Sequence, residues 1–361
     1  MSDKTAIETL LQGIEDPHTG KSLADSGEIR DIAVVDGKVA VDICLGYPAD
    51  TFVDELSATV KEKLHTLPDV HDSDVKVSWE ITSHAVQKSL KPIENIKNVI
   101  AVASGKGGVG KSTVAVNLAL ALASEGAAVG ILDADIYGPS QPTMMGIKGQ
   151  PESKDGKTLE PLENHGLQVM SIGFLIEEET PMIWRGPMVT QALEQLLNDT
   201  NWRDLDYLVI DLPPGTGDVQ LTLAQKIPVS GAVIVTTPQN IALLDARKGV
   251  KMFEKVDVPL LGIVENMSLH ICSKCGHEEP IFGSGGGVKM AQDYGVELLG
   301  RLPLDGSICE QTDEGMPPVI ADPDGHNARI YREMARNAAG RLAVRSKDYS
   351  AKFPKIVIQN T

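Results

Sequence analysis

Val99-Ile100-Ala101-Val102-Ala103 is an unbroken apolar run of strand length. It leads straight into Ser104-Gly105-Lys106-Gly107-Gly108-Val109-Gly110-Lys111-Ser112-Thr113 and then into the helix-forming stretch Val114–Ala123. The middle segment has the spacing GxxxxGK[ST], set between a strand and a helix, which is the context a phosphate-cradling loop requires. Glycines at 105, 107, 108 and 110 let main-chain N–H groups, those of Val109 and Thr113 included, converge on phosphate oxygens with no Cβ in the way. The helix N-terminus adds partial positive charge. Lys111 is placed to reach β- and γ-phosphates, and the Ser112 hydroxyl to ligate Mg²⁺.

Outward from that loop, apolar runs alternate with helix-length segments: Val99–Ala103, Ala128–Leu132, Leu167–Ile172, Tyr207–Leu212, Ala232–Thr236, Leu260–Val264 and Leu298–Leu302. Strands apolar on both sides of the pleat and joined by helical crossovers belong to a parallel sheet covered on both faces. The fold class is therefore α/β, a doubly wound, mostly parallel P-loop NTPase sheet over 98–345. Two further strand ends carry acids, where ligand sites of such sheets form. Gly130-Ile131-Leu132-Asp133-Ala134-Asp135 brings Asp135 to the phosphate edge. Tyr207-Leu208-Val209-Ile210-Asp211 ends on the carboxylate expected to hold Mg²⁺ directly or through water. The loop Pro213-Pro214-Gly215-Thr216-Gly217-Asp218 reads as a switch that senses the terminal phosphate, with Gly215 at the nucleotide.

Upstream the pattern changes. Ile7, Leu10, Leu11 and Ile14 recur at helical spacing before the stop at Asp16-Pro17, and two β-rich runs flank Asp36-Gly37, a hairpin signal. Phe52, Leu56, Val60, Leu64 and Leu67 mark a helix, and Val75–Ile81 a third strand. Residues 1–90 are thus expected to form a small α+β domain, with 91–97 as a linker and 346–361 as a tail.

The chain carries 33 Lys and Arg against 50 Asp and Glu, a net charge of −17, and residues 1–95 hold 18 of the acids but only 9 of the basic side chains. A surface this acidic repels phosphate backbones and anionic lipid, which argues against nucleic-acid and membrane partners. No apolar run is long enough for a membrane span, and the N-terminus lacks a secretory signal. Four cysteines are too few for a disulfide scaffold, so a reducing, cytoplasmic setting is expected.

Cys272-Ser273-Lys274-Cys275 is a CxxC pair in a loop rather than at the start of a helix, which argues against thioredoxin-like chemistry. Two thiolates do not complete a tetrahedral site. His270 and His277 flank the pair, so a Cys₂His₂ zinc site within one chain is one solution. Two copies of the pair across a homodimer axis is another, and that Cys₄ set suits a [4Fe–4S] cluster or zinc equally.

SGKGGVGKST, LDADIYGPS, IWRGPM, DLPPGTGD, TTPQ, ENMS, the CxxC and IFGSGGG occur here in the order seen in the Mrp/ApbC family. From Asn98 to Ala343 the chain resembles these iron–sulfur cluster carrier ATPases. The stretch from DPHTGKSLADSGEIRDI onward resembles the small iron–sulfur-assembly domain often fused in front of them. Lys106 resembles the second lysine of the deviant P-loop class, to which the nitrogenase iron protein and the MinD/ParA proteins belong. The resemblance implies ATP bound and slowly hydrolysed between two protomers, with Lys106 reaching the partner's nucleotide. It implies that Asp135 orients the attacking water and that Asn266, in Glu265-Asn266-Met267, contacts the base. It also implies a labile [4Fe–4S] cluster shared by Cys272 and Cys275 of both chains of a homodimer, and its transfer to client apo-proteins. At one place the chain departs from the pattern: Asp50 stands where the small domain often has a cysteine. Cys44, on the preceding strand, and Cys309, in a loop before Gly315, read as structural.

The rival reading from another class is a MinD/ParA-like positioning ATPase. That would call for a basic amphipathic C-terminal helix or a basic stripe, and SKDYSAKFPKIVIQNT, interrupted by Pro354, has no such face. A zinc-stapled ATPase without iron would use the same ligands.

Overall fold

The computed structural model describes residues 4–176, 186–272, 274–345 and 347. Ile183-Trp184-Arg185 of the IWRGPM stretch and the tail, Lys347 apart, lie outside the described residues. Helix α1 (Lys4–Gln12) buries Ile7 and Leu11, and a short ladder between β1 (Glu15–Asp16) and β2 (Lys21–Ser22) turns the chain at Pro17. Strands β3 (Ile29–Val35) and β4 (Lys38–Leu45) pair antiparallel about Asp36-Gly37, whose φ angles of 49° and 76° are those a tight primed turn demands. After α2 (Val53–Leu64), β5 (Asp72–Trp79) runs parallel to β4 and completes a separate three-stranded sheet. Its first residues, Asp72-Ser73-Asp74, are polar because they extend the main-chain ladder beyond the covered part of the sheet.

The larger sheet is built on β6 (Ile96–Ser104), which leads through α3 (Lys111–Ser124) to β7 (Val129–Asp133). After α4 (Gln141–Met144) come β8 (Leu162–Asn164), β9 (Leu167–Ser171), α5 (Gly186–Asn198), β10 (Leu205–Asp211), α6 (Asp218–Lys226) and β11 (Gly231–Thr236). Then follow α7 (Asn240–Lys255), β12 (Leu260–Glu265), a small ladder of β13 (His270–Ile271) with β14 (Glu278–Glu279), α8 (Gly286–Tyr294) and β15 (Glu297–Arg301). Helices α9 (Gly306–Asp313), α10 (Pro318–Ala321) and α11 (His326–Ala343) close the described chain. The strand order is β15-β12-β11-β6-β10-β7-β9-β8, parallel throughout except for β8. All seven apolar runs are strands of this sheet. The edge strand β8, Leu-Glu-Asn, is too short and polar to read from pattern. Helices α3, α4, α9, α10 and α11 pack in one group and α5 to α8 in another, so the sheet is covered by two helical layers. The chain leaves β6 toward β7 on one side and β10 toward β11 on the other, which opens a crevice at the carboxyl ends of the central strands.

The expected linker, 91–97, ends inside a strand, and the polar residues just before it are tied down. Ile96 and Lys97 already belong to β6, with Ile96 paired to Leu205. The amide and Nδ1 of buried His84 lie 3.0 and 2.9 Å from Asn98 Oδ1. The buried Gln87 carboxamide donates to the carbonyls of Ala224 and Ile227 (2.9 and 3.1 Å) and accepts from the Val229 N–H (3.0 Å). The polar composition that looks like a tether is hydrogen-bonding capacity spent on the larger sheet's surroundings.

The N-terminal sheet meets the rest of the chain through a buried polar junction. Glu125 caps the far end of α3, and its carboxylate accepts from the Thr51 N–H (2.9 Å) and from Arg336 Nη1 (2.7 Å) on α11. Asp50 accepts from the Trp79 indole (2.7 Å) while its own N–H donates to the Glu125 carbonyl (3.3 Å). Arg336 Nε donates to His18 Nε2 (3.2 Å), which leaves Nδ1–H to donate to Tyr47 Oη (3.0 Å), and the Tyr47 hydroxyl donates to Asp16 Oδ1 (2.9 Å). A Cβ at Gly340 of α11 would come within 2.7 Å of the His18 main chain, so only glycine permits this approach.

Glu28 is buried beside Asp16, and burial together with the Asp16 charge pushes its carboxyl up to about 8. Below its ordinary value of 4.5 the group is neutral in folded and unfolded chains alike. Between 4.5 and about 8 only the folded chain keeps the proton, so stability falls as pH rises through this window and levels off above it. Glu28→Gln should remove that loss and gain on the order of 3 kcal/mol over the wild type between about pH 5 and pH 8.5 in denaturant titrations. Parallel pH profiles for the two proteins would show that Glu28 carries no such proton.

Candidate functional site

The loop between Ser104 and Lys111 stands at the crevice. Gly108 and Gly110 both take φ of 81°, and no atom lies within 4 Å of where a Cβ would sit on Gly107 or Gly108, so the cradle is open on that side. On the opposite side it is tightly backed: a Cβ on Gly105 would fall 2.2 Å from the Asp245 carbonyl carbon in the second turn of α7. Ser104 Oγ donates to the Lys106 carbonyl (2.9 Å), and the Gly110 carbonyl accepts from the Val114 N–H (3.0 Å) as α3 begins. Lys106 is half-buried at the mouth of the loop, and Thr113 is half-buried in the first turn of α3.

Lys111 is 5% exposed and its ammonium gathers oxygen acceptors from three elements. It pairs with Asp211 Oδ1 at the end of β10, lies 3.1 Å from Ser112 Oγ, and stands 3.8 Å from Asp135 Oδ2 beyond β7. One hydroxyl and two carboxylates form a hard-oxygen set of the kind Mg²⁺ takes. That an ammonium already sits among them shows that the space accepts a cation, so the residues fit the metal. Burial raises the Asp135 carboxyl, with the Lys111 charge pulling it back. Burial and the neighbouring Asp211 charge push Asp133 up to about 7.

Asp133 organises the loop that carries Asp135. Its Oδ2 accepts from the N–H groups of Ser140 (2.9 Å) and Gln141 (3.0 Å) and from Ser171 Oγ (3.0 Å), and its Oδ1 accepts from the Asp135 N–H (3.2 Å). Asp133 was visible in the LDAD stretch, but pattern alone gives it no role. Gln141, which donates to Asp211 Oδ2, has no sequence signal beyond being a polar residue just after Pro139-Ser140. The loop after β10 is anchored by the Gly215 N–H on the Ser104 carbonyl (2.9 Å), with Gly215 at φ 103°. Asn266, expected at the base, directs its carboxamide to the phosphate loop: Nδ2 donates to the Val109 carbonyl (2.8 Å) and Oδ1 accepts from the Met267 N–H (2.9 Å).

The cysteine pair sits at the tip of a hairpin, not in a featureless loop. His270 and Ile271 pair with Glu279 and Glu278, the Cys272 N–H donates to the His277 carbonyl (2.9 Å), and the Gly276 N–H donates to the Cys272 carbonyl (2.8 Å). This turn aims the N–H groups of Lys274 and Cys275, and the Cys275 thiol, at Cys272 Sγ, which holds its thiol pKa below the ordinary value and favours the thiolate. Both thiols are free, with Cys275 exposed. His270 turns Nδ1 toward the Leu304 carbonyl (3.1 Å), and among the described residues no group of three or more His, Cys, Asp or Glu is placed to hold a metal. The Cys₂His₂ arrangement within one chain is therefore not assembled. Cys44 is buried in β4, and Cys309 lies on α9 rather than in a loop, its thiol 3.6 Å from the Asp313 carboxylate. Large apolar side chains are exposed near both features: Tyr137 after Asp135, Ile241 and Leu244 on the first turns of α7, and Ile271 and Ile281 about the hairpin.

Comparison with known proteins places this geometry. The family described as NUBPL iron-transfer P-loop NTPase matches residues 95–339, and the family described as iron-sulfur cluster assembly protein matches residues 4–77. The iron-sulfur cluster carrier protein of Pseudomonas fragi is 60% identical over 274 residues, covering 75% of this chain and 96% of that protein. The iron-sulfur cluster carrier protein of Escherichia coli K12 is 51% identical over 333 residues, covering 92% and 90%. Among solved structures, a nucleotide-binding protein from Archaeoglobus fulgidus in complex with ADP superposes with a TM-score of 0.58 at 38% identity, over 66% of this chain and 93% of that one. A phosphate loop, strand-end acids and a two-thiol hairpin in one chain, with matches of this extent, place the protein in the Mrp/ApbC family of iron–sulfur carriers, the NUBPL-type iron-transfer P-loop NTPases, with an iron–sulfur-assembly domain in front.

Proposed function

We propose that the protein binds ATP with Mg²⁺ between two protomers, hydrolyses it slowly, and carries a [4Fe–4S] cluster at their interface for delivery to client apo-proteins in the cytoplasm. The observation that carries this reading is the presence in one chain of a phosphate loop around Lys111 and an exposed hairpin offering two thiols, half of a four-ligand set. Gly105 to Thr113 and Gly215 cradle the phosphates, and Asn266 shapes the loop at the base end. Lys111 neutralises the terminal phosphate, Lys106 reaches the partner's nucleotide, Asp135 orients the attacking water, and Ser112 and Asp211 hold the metal. Mg²⁺, when bound, offsets charge on the phosphate oxygens. The exposed apolar side chains about the loop and the hairpin suit burial against a second copy. Residues 1–90 and 98–345 are the two working units, the first an acidic surface for clients. Among the described residues no helix is long and apolar enough to cross a membrane.

Lys111→Ala should lower Mg²⁺-dependent ATP turnover by at least about 100-fold, since a preorganised charge on the reacting phosphate is lost. Lys106→Ala should retain more nucleotide binding than turnover, because its target is across the dimer. Full turnover in Lys111→Ala, measured by phosphate release, would remove the site assignment.

Anaerobic reconstitution should yield about four irons per dimer, the content of one shared cluster, with matching sulfide and a visible charge-transfer band. Cys272→Ala and Cys275→Ala should each abolish it, whereas Cys44→Ala and Cys309→Ala should not. Four irons per monomer, or zinc in place of iron with no visible band, would overturn the shared-cluster reading.

A further inference from the structure

Gln141 is fully buried at the first position of α4, a short helix that a buried apolar residue would serve equally well. Instead its carboxamide reaches across to the nucleotide site. Nε2 donates to Asp211 Oδ2 (3.0 Å) and to the Ser112 main-chain carbonyl (3.2 Å), while Oε1 is buried with no hydrogen-bond partner. Both contacted atoms are acceptors, so only the orientation that presents the NH₂ group makes both contacts attractive. An amide kept at the cost of an unsatisfied buried acceptor serves its donor end.

The donor end joins the two elements that supply the metal ligands. Asp211 terminates β10 and Ser112 lies in the first turn of α3, and Gln141 is hydrogen-bonded to both. Asp211 is thereby divided: Oδ2 faces Gln141, and Oδ1 faces Lys111 on the side of Ser112 Oγ. The position of Gln141 is itself set by Asp133, whose Oδ2 holds the Gln141 and Ser140 N–H groups.

We propose that Gln141 is a positioning residue for the divalent cation: it holds the Asp211 carboxylate by Oδ2 and the Ser112 main chain at once, so that Asp211 Oδ1 and Ser112 Oγ face one space. The proposal rests on the reading of Ser112 and Asp211 as Mg²⁺ ligands. Partners of this kind, which orient the ligands rather than touch the metal, govern metal affinity by about 10- to 100-fold. They have no hold on the nucleotide in the metal's absence.

Gln141→Met keeps the length and bulk of the side chain and removes the N–H donors. The full chain is titrated with a fluorescent methylanthraniloyl-ADP, once in EDTA and once across Mg²⁺ concentrations, for the wild type, Gln141→Met and Asp211→Asn. In Gln141→Met the EDTA affinity should stay within about twofold of wild type, while the Mg²⁺ concentration giving half of the metal-dependent change rises by at least about tenfold. Asp211→Asn should shift the same Mg²⁺ curve. A normal Mg²⁺ curve in Gln141→Met alongside a shifted one in Asp211→Asn would overturn the proposal alone. A normal curve in Asp211→Asn would overturn the ligand reading and the proposal with it. Equal weakening of ADP binding in EDTA and in Mg²⁺ for Gln141→Met would make Gln141 a scaffold of the phosphate loop and overturn the positioning role.

Discussion

Three carboxylates meet at the carboxyl ends of neighbouring parallel strands with one ammonium between them, and the architecture of the site follows from keeping that arrangement stable. Asp133 and Asp211 are direct register partners on β7 and β10, both fully buried. Two acids that close in a low-dielectric interior cannot both be charged without compensation. The chain compensates in two ways. Asp211 takes the buried Lys111, and Asp133 takes four donors from its own loop and from Ser171 while its carboxyl rises to about 7. Lys111 is thus held by the acids that a metal would otherwise occupy. In the proposed function a polyphosphate would draw the ammonium away, and a divalent cation would bring the charge that the acids then need.

Helix α3 extends this constraint to the N-terminal sheet. Its first turn holds Lys111 and Ser112, its interior positions are almost all buried, and its far end is Glu125, which grips Thr51 and Arg336. Asp50, which replaces the cysteine often seen in the related small domain, is spent on this contact: its N–H meets the Glu125 carbonyl and its carboxylate the Trp79 indole. The small sheet is therefore a docked partner of the nucleotide-site helix, held by hydrogen bonds to charged groups of the stronger kind.

The thiol hairpin follows the opposite principle. Cys272 and Cys275 project from a two-rung ladder at the surface, with few ties to the rest of the chain, and the N–H groups of the turn favour the thiolate. Exposure and a thin scaffold suit ligands that must let go of their cargo, whereas a permanent redox centre is normally enclosed by protein.

The alternation of apolar runs with helical segments determined the parallel sheet, because a strand covered on both faces has no position for a polar side chain. GxxxxGK[ST] between such a strand and a helix determined where the open glycine loop and the helix N-terminus stand, because their geometry is set locally. Asp135 and Asp211 were legible for the same reason: strand ends of a parallel sheet share one edge. Tertiary structure alone decided what those groups touch. Gln141, drawn back onto Asp211 by its anchoring on Asp133, is a contact across 70 residues of sequence with no periodic trace. The Asn266 carboxamide on Val109, the His84 and Gln87 ties ahead of the expected linker, and the Asp50–Glu125 junction are likewise long-range polar contacts. Hydrophobic burial is proportional to area and leaves a repeating signature along the chain. A hydrogen bond between distant elements depends on the final placement of two atoms, and one sequence read by itself holds no record of that placement.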